Sequence, residues 1–315
     1  MKRIFVTLLA VAMTASFLSC GNGRRQVVSL ATAVLGGTYY IVGAGLAEVL
    51  NRALPDLTVN AIIAQGSTGN PVMLHRNEAE LGITNYISAA NARAGNPPFD
   101  TPMDIMGIAP LQFSSLHIMV MANSGIYTME DLRGRWVNLG PAGSGGALFF
   151  RELLPFWGLN EDEFNFSFLS FVEGSEALRD GRVDANVPNG AFPLETVSIL
   201  AAFSDIRLIN LETENMNRVL EALPHYSISI IPPGTYRGID VPVQTGGNQD
   251  ILVVRGDMDE EVVYQITRAI YEAMDDLRRV HPSLANMTFA GYRHSVVPLH
   301  PGALRFYMER GIPLE

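Results

Sequence analysis

Lysine is almost missing from this chain. All of its 22 basic side chains are arginines except Lys2, and Cys20 is its single cysteine. Because the chain after Lys2 contains no lysine, mechanisms that use a lysine Schiff base or a lysine general base are excluded. One cysteine cannot form an intramolecular disulfide, and it offers no cysteine pair to a metal ion. The six histidines are scattered, without an HExxH pair, so the sequence predicts no metal site and no cofactor.

Basic charge is also scarce relative to acidic charge. The chain carries 32 acidic side chains and a formal net charge of −10 at pH 7. If residues 1–19 are removed, Lys2 and Arg3 are lost and the remaining charge is 20 − 32 = −12. A surface of this sign argues against binding to nucleic acid or to an anionic membrane surface.

Long apolar runs are absent except at the N-terminus. Lys2 and Arg3 precede an apolar stretch at 4–17, which is shorter than the roughly 20 residues of a membrane span but typical of a signal peptide. It ends in Leu18-Ser19-Cys20-Gly21 and resembles a bacterial lipoprotein signal. We therefore expect an exported cell-envelope lipoprotein that is cleaved after residue 19 and attached to the membrane only through a lipid on Cys20. An ordinary cleaved signal and an uncleaved anchor are the alternatives.

Two segments of the chain share one pattern, an extended run that opens through a glycine-rich loop into a helix. The first loop is Leu35-Gly36-Gly37-Thr38-Tyr39, and the second is Gly140-Pro141-Ala142-Gly143-Ser144-Gly145-Gly146. Neither continues into Gly-Lys-Ser/Thr, which excludes a nucleotide-triphosphate P-loop. Because the first N–H groups of a helix have no partner within it, two such loops predict a cleft that holds a small anion from both sides.

A second correspondence supports an internal duplication. Glu80 heads an apolar run that ends at Asn85, and Asp184 heads one that ends near Asn189. Asn85 and Asn189 are 104 positions apart, close to the 106 positions between Thr38 and Ser144. Two motifs at nearly constant offset predict two lobes of similar βα plan, although such turns also recur in unrelated α/β proteins.

Periodicity and cap residues predict the individual elements. The predicted strands are 26–33, 57–64, 80–85, two runs within 107–122, 136–139, 183–188, 206–210 and 251–255. The predicted helices are 42–53, 70–78 with Asn70 as its N-cap, 88–94, 129–132, 147–154, 174–180, 214–222 and 257–280.

The order of these elements predicts an α/β chain with two lobes. Lobe 1 comprises 20–121 and 248–315, and lobe 2 comprises 122–247. The chain then crosses between the lobes twice, and two adjacent crossing segments make a hinge.

The motifs resemble those of the TAXI class of solute receptors, which serve TRAP (tripartite ATP-independent periplasmic) transporters. The similar segments, in order along nearly the whole mature chain, are 36–40, 66–70, 132–134, 140–145, 180–185, 234–236 and 299–307. Three positions depart from the family pattern, namely Asn77, Asn85 and Gly146.

The resemblance implies a two-lobe periplasmic binding protein fold of type II, with two crossovers. It also implies a small carboxylate ligand, of the glutamate or 2-oxo/dicarboxylate type, and delivery to a TRAP permease driven by an ion gradient. It does not define which carboxylate is bound. A ligand-binding sensor component and a two-lobe periplasmic enzyme remain alternative functions, and no catalytic residue is predicted.

The candidate ligand contacts lie in the loops at the carboxyl ends of the predicted strands, where open α/β sheets bind ligands. They are Gly37, Thr38, Tyr39, Ser67, Thr68, Asn70, Asn85, Tyr86, Ser144, Gly145, Gly146, Asn189, Gly190 and Ala191. Thr38 could also cap its helix, a role compatible with ligand contact, and for Asn70 the role of helix cap is the favoured alternative. Arg76 and Arg93 are the arginines nearest in sequence to the first-lobe loops, and we do not include them in the site.

Overall fold

The computed structural model describes residues 25–315, so Cys20 and the predicted signal at 1–19 lie outside the described residues. The strands in chain order are β1 (Gln26–Ala31), β2 (Leu57–Ile62), β3 (Leu81–Asn85), β4 (Ile105–Leu116), β5 (Met119–Met121), β6 (Trp136–Asn138), β7 (Asn165–Ser167), β8 (Ala185–Asn186), β9 (Asn189–Gly190), β10 (Ile206–Leu208), β11 (Ser227–Ile231) and β12 (Val243–Arg255).

Ten α-helices pack around these strands within the same residues. They are α1 (Thr38–Ala53), α2 (Gly69–His75), α3 (Tyr86–Ala94), α4 (Gly145–Leu153), α5 (Phe171–Arg179), α6 (Glu195–Phe203), α7 (Thr213–Ala222), α8 (Glu260–Glu272), α9 (Met274–Val280) and α10 (Pro301–Arg310). None of the helices in the described part of the chain has the length and apolar character needed to cross a membrane.

The strands form two sheets, each centred in one lobe, although β9 and β11 of the larger sheet come from the part of the chain predicted as lobe 2. The larger has the order β2-β1-β3-β12-β4-β9, with β11 also paired to β12, and the smaller has the order β10-β5-β8-β6-β7. All five residues of β3 are buried, as expected for a central strand covered on both faces. The fold is therefore the predicted two-lobe α/β architecture.

The first three strands of each lobe have the same arrangement. In lobe 1, β1 lies between β2 and β3 and is parallel to both; in lobe 2, β6 lies between β7 and β8 and is parallel to both. The Glu80 carboxylate accepts a hydrogen bond from the N–H of Ser29 at 2.8 Å, and the Asp184 carboxylate accepts one from the N–H of Trp136 at 2.9 Å. The predicted duplication is thus confirmed in strand order, and the acidic residue at the head of each third strand has the same structural role.

Two long antiparallel strands connect the lobes. The first half of β12 packs on lobe 2, where Val243 is buried, while Ile251 to Val254 belong to the lobe 1 core. The strand β4 likewise has Leu111 in the lobe 1 core and Leu116 in the lobe 2 core. Their pairing shifts register between Gln249 and Ile251, a β-bulge at the crossing. The domain boundaries at 121/122 and 247/248 remain predictions.

Several predicted elements differ in extent. The strand expected at 251–255 begins at Val243, because it continues across both lobes. The helix expected at 257–280 is divided at Ala273 into α8 and α9. The helix α1 begins at Thr38 rather than at residue 42, and β8 covers only part of the predicted 183–188. The strands β7, β9 and β11 and the helices α6 and α10 were not predicted.

Candidate functional site

The glycine-rich loops of the two lobes meet at one small cavity. Its volume is about 20 Å³, which is room for roughly one water molecule. Binding of an organic solute between these loops therefore requires the lobes to separate. The lining residues are Ala33, Val34, Gly37, Thr38, Tyr39, Gln65, Gly66, Ser67, Ser144, Gly145, Phe171 and Asn189.

The lobe 2 side of the cavity is the N-terminus of α4. The Ser144 hydroxyl caps this helix: it accepts from the Ala147 N–H at 3.2 Å and donates to the Leu139 carbonyl at 3.3 Å. Neither Gly145 nor Gly146 donates its backbone N–H to an acceptor within residues 25–315. These two N–H groups, at the positive end of a nine-residue helix, provide an anion-binding geometry.

The lobe 1 side of the cavity is the N-terminus of α1. Gly37 is the N-cap residue and gives no side-chain cap. The N–H groups of Thr38 and Tyr39 likewise find no acceptor in the described part of the chain. The Thr38 hydroxyl, which we expected to contact the ligand, accepts a hydrogen bond from the Ala191 N–H at 3.1 Å in this closed arrangement.

Backbone contacts hold the two lobes together around the cavity. The N–H groups of Thr68 and Gly69 both donate to the Gly143 carbonyl, at 3.0 and 3.2 Å. A Cβ atom placed on Gly145 would lie 2.8 Å from both Asn85 Nδ2 and Ser67 Oγ. Glycine at 145 is therefore required for the lobes to approach this closely.

A buried carboxylate lies behind the lobe 1 side. Asp250, on β12, is completely buried and accepts hydrogen bonds from the hydroxyls of Tyr39, at 2.5 Å, and Ser114, and from Gln112 Nε2 at 2.9 Å. The Tyr39 hydroxyl also bonds to Ser67 Oγ at 2.9 Å. Burial raises the pKa of Asp250 to about 7, although the hydrogen bonds from Ser114, Tyr39 and Gln112 oppose this shift. Burial and the adjacent Asp250 also raise the pKa of Tyr39, so its hydroxyl stays protonated.

Most of the predicted contact residues are brought together here. Seven of them line the cavity: Gly37, Thr38, Tyr39, Ser67, Ser144, Gly145 and Asn189. Five more lie immediately behind the lining: Thr68 bonds Gly143, Asn85 approaches Gly145, Gly146 packs against Asn189, Gly190 approaches Thr38, and Ala191 bonds Thr38.

Two of the predicted residues are placed elsewhere. Asn70 lies within α2, whose N-cap is Thr68 rather than Asn70. Its side-chain amide donates to the carbonyls of Ala31, Thr32 and Ile83, so it links the ends of β1 and β3. The Tyr86 hydroxyl accepts from the Arg293 N–H at 2.9 Å inside lobe 1. Their role as ligand contacts stays an untested prediction that this arrangement does not support.

The cavity lining contains no charged side chain. Arg76 is exposed, and the Arg93 guanidinium donates to the Ile105 carbonyl within lobe 1. No group of three or more His, Cys, Asp or Glu in residues 25–315 is placed to hold a metal ion. The positive potential available to an anion therefore comes from helix ends and N–H groups rather than from a cation.

Sequence reasoning missed several residues of this region: Gln65 and Phe171 in the lining, and Asp250 with its partners Gln112 and Ser114. One signal was available for Asp250, because an acidic residue directly precedes the apolar run Ile251 to Val254. Acidic side chains are rarely buried, so one directly beside a buried strand indicates either that the strand ends there or that the carboxylate has a functional role.

Comparison with known proteins identifies the family. A model of the NMT1-like family matches residues 30–311. The chain belongs to the NMT1-like family. The match covers both lobes, including both glycine-rich loops and Asp250, so the geometry described above lies wholly within the family domain. The TAXI class is a finer assignment than this match.

Several solved structures share this fold. They include a protein from Bordetella bronchiseptica (17% identity over 91% of this chain and 83% of that chain, TM-score 0.56). An ancestral arginine-binding protein bound to arginine matches at 14% identity over 82% and 98%, with a TM-score of 0.53. A putative L-cystine ABC transporter from Listeria monocytogenes matches at 13% over 83% and 97%, with a TM-score of 0.51. At these identities the likeness shows the fold alone.

Proposed function

We propose that this NMT1-like protein is an extracytoplasmic solute receptor that closes its lobes around one small carboxylate without changing it chemically. The observation that carries the proposal is the pair of helix N-termini, at Thr38 and Gly145, which face one cavity from opposite lobes. The crossing strands β4 and β12 provide the hinge on which such a cleft would open and close.

The energetics allow binding without an arginine. A hydrogen bond to a charged group contributes about 1.5–3 kcal/mol, and a partly buried helix end up to about 2 kcal/mol. The N–H groups of Thr38, Tyr39, Gly145 and Gly146 together approach the roughly 8 kcal/mol that micromolar affinity needs. Glutamate and 2-oxoglutarate are the solutes favoured by the TAXI-like motifs.

Delivery to a membrane permease is part of the proposal. The TAXI-like motifs favour a TRAP permease, whereas one protein of the same fold is described as a putative ABC transporter component. Uptake assays in cells distinguish the two, because an ion-gradient system loses uptake when an ionophore collapses the gradient, even while ATP is maintained. Retained uptake would favour the ABC type.

Export and lipidation remain proposals as well. Intact-mass analysis of protein extracted from membranes should show the 20–315 polypeptide plus a diacylglyceryl or triacylglyceryl increment on Cys20. An unmodified mass, or a different N-terminus, would contradict the lipid anchor.

Calorimetry with the purified 20–315 protein tests solute binding. We expect one site for a small carboxylate, and chromatography should recover the ligand unchanged. Chemical alteration of the ligand would indicate an enzyme instead. A thermal-shift screen of dicarboxylates and amino acids that detects no ligand would contradict the proposal, because a tight ligand stabilises the folded state.

A further inference from the structure

A chain of hydroxyl groups connects the buried Asp250 with the cavity. Asp250 Oδ1 accepts from the Tyr39 hydroxyl at 2.5 Å, and the Tyr39 oxygen lies 2.9 Å from Ser67 Oγ. Tyr39 and Ser67 both line the cavity, while Asp250 does not. The hydrogen bonds of the carboxylate therefore reach the cavity through these two hydroxyls.

The charge on Asp250 sets the direction of these hydrogen bonds. A hydroxyl has one proton to donate. When Asp250 is ionised, the Tyr39 proton goes to Asp250, so the Tyr39 oxygen accepts the Ser67 proton. Ser67 then presents only lone pairs to the cavity, and it accepts hydrogen bonds from a ligand rather than donating them.

Protonation of Asp250 reverses this direction. Asp250 Oδ2 accepts two hydrogen bonds, from Gln112 Nε2 and from the Ser114 hydroxyl, whereas Oδ1 accepts one, from Tyr39, so a proton on Oδ1 disturbs fewer of them. The added proton therefore belongs on Oδ1, from which it is donated to the Tyr39 oxygen. Tyr39 in turn donates to Ser67, and the Ser67 proton becomes available to a ligand.

Within residues 25–315, Asp250 is the only group in its immediate surroundings whose charge is expected to change between about pH 5.5 and pH 8.5. The groups that face it are Tyr39 from α1, Gln112 and Ser114 from β4, and its cross-strand partner Asn85 from β3. Among these only Tyr39 titrates, and its pKa is raised, so it stays neutral. Burial raises the pKa of Asp250 to about 7, with no contribution from another charged residue.

We propose that Asp250 is a positioning residue that selects the ligand through Tyr39 and Ser67. In its ionised form it makes Ser67 an acceptor for an ammonium or hydroxyl donor of the solute, and in its protonated form it makes Ser67 a donor to an acceptor group at the same place. The inference rests on the proposed function, since it describes how the same cleft distinguishes its ligands.

Calorimetry with a matched pair of probes tests this role. L-glutamate and 2-oxoglutarate share a carbon skeleton and two carboxylates. At one carbon, glutamate carries an ammonium group, which donates hydrogen bonds, and 2-oxoglutarate carries a keto oxygen, which accepts them. We expect the wild-type protein to favour glutamate at about pH 8.5, and the affinity ratio to shift by about 10-fold or more toward 2-oxoglutarate at about pH 5.5. Both probes keep their charges over this range, so the shift reports on the protein.

Two variants and one control complete the experiment. In Asp250→Asn, the orientation that keeps the hydrogen bonds from Gln112 and Ser114 puts the side-chain oxygen at the Oδ2 position, so the amide nitrogen faces Tyr39 and imitates the protonated acid. We expect its preference to lie toward 2-oxoglutarate at both pH values. Tyr39→Phe breaks the chain and should give a ratio independent of pH. Glu152→Gln removes a half-buried carboxylate that is also bonded to a tyrosine, Tyr226 in lobe 2, and should behave as wild type.

The outcomes separate the two proposals. If neither probe nor any other small acid binds, the proposed receptor function fails, and this inference fails with it. If the probes bind with a ratio that does not change with pH in the wild type, or if Tyr39→Phe keeps the wild-type pH profile, the role of Asp250 is wrong while the receptor function stands. The Tyr39 variant decides the matter even if Asp250→Asn does not fold.

Discussion

The two halves of the cavity come from units with the same strand order, yet they offer different chemistry. In lobe 2, the helix α4 presents the N–H groups of Gly145 and Gly146 behind a serine cap, with no ionisable side chain in the lining. In lobe 1, α1 presents equivalent N–H groups, but the neighbouring Tyr39 hydroxyl is tied to the buried carboxylate of Asp250.

This difference indicates a division of roles between the lobes. A carboxylate of the solute is best placed against α4, where nothing negative opposes it. In the proposed complex, the side of the solute that meets Tyr39 and Ser67 would face hydroxyls that are hydrogen-bonded in a chain to Asp250, so lobe 1 would contact its remaining substituents. One difference between the two units therefore comes from Asp250 of β12, a strand that lies outside either repeat.

The largest expected effect concerns the stability contribution of Asp250. Its pKa rises from the ordinary 3.8 to about 7 on folding. The folded state therefore binds the Asp250 proton more tightly than the unfolded state does, which adds at most roughly 4 kcal/mol to the free energy of unfolding. This stabilisation is fully present below about pH 3.8 and is lost as the pH rises through about 7. We expect the melting temperature of the wild type, relative to that of Asp250→Asn, to fall between about pH 5.5 and about pH 8.5.

The exposed carboxylate Asp240 provides the control for this comparison. Asp240→Asn should follow the wild-type curve of melting temperature against pH. Parallel curves for the wild type and Asp250→Asn would show that Asp250 does not titrate in this range, and they would remove the asymmetry between the lobes.

The next effect concerns the close approach of the lobes at Gly145. In Gly145→Val the added atoms collide with Asn85 and Ser67 across the cleft. Overpacking costs about 1–3 kcal/mol, so solute affinity should fall about 5- to 150-fold, with a more open shape in solution scattering. Ala142→Val, in the same loop but exposed, should keep wild-type affinity. Unchanged affinity in Gly145→Val would place the solute outside this cavity.

A smaller effect is expected at the cap of α4. Ser144→Ala removes the cap on the Ala147 N–H and should cost about 1 kcal/mol of stability. It should also weaken solute binding by less than Gly145→Val does, because the N–H groups that would hold the anion remain. Asp259→Ala removes the cap of α8 in lobe 1, so it should lose similar stability without losing affinity. Equal affinity in both variants would move the anion contact away from α4.

The smallest effect is expected at Arg76. This side chain is exposed and belongs to a groove outside the cavity. Arg76→Gln should change affinity no more than Arg268→Gln, a substitution on the surface of α8, because exposed charges contribute little, typically below about 1 kcal/mol. A fall of more than about 10-fold in calorimetry would reveal a salt bridge to the solute, and lobe 1 would then hold the anion as well.

The local parts of this molecule were predictable because they depend on neighbouring residues. Glycine-rich loops, cap residues and apolar periodicity lie within a few positions of one another, so they indicated both βα units and seven of the lining residues. The ligand contact predicted for Tyr86 finds no support in this arrangement, because following a strand end does not determine which way a side chain points. Its hydroxyl meets Arg293, which is 207 positions away.

The sequence alone determined the two-lobe α/β plan and the loops that form the cavity, since these follow from short-range pattern and from repetition at a constant offset. Only the tertiary structure decided the chemistry behind the cavity. Asp250 and Tyr39 are 211 positions apart and meet because β12 returns from lobe 2 to pair between β3 and β4. The register of β12 against β3 and β4 places the Asp250 carboxylate beside the Tyr39 hydroxyl. Because that register depends on residues far apart in the sequence, no local sequence pattern predicts the contact.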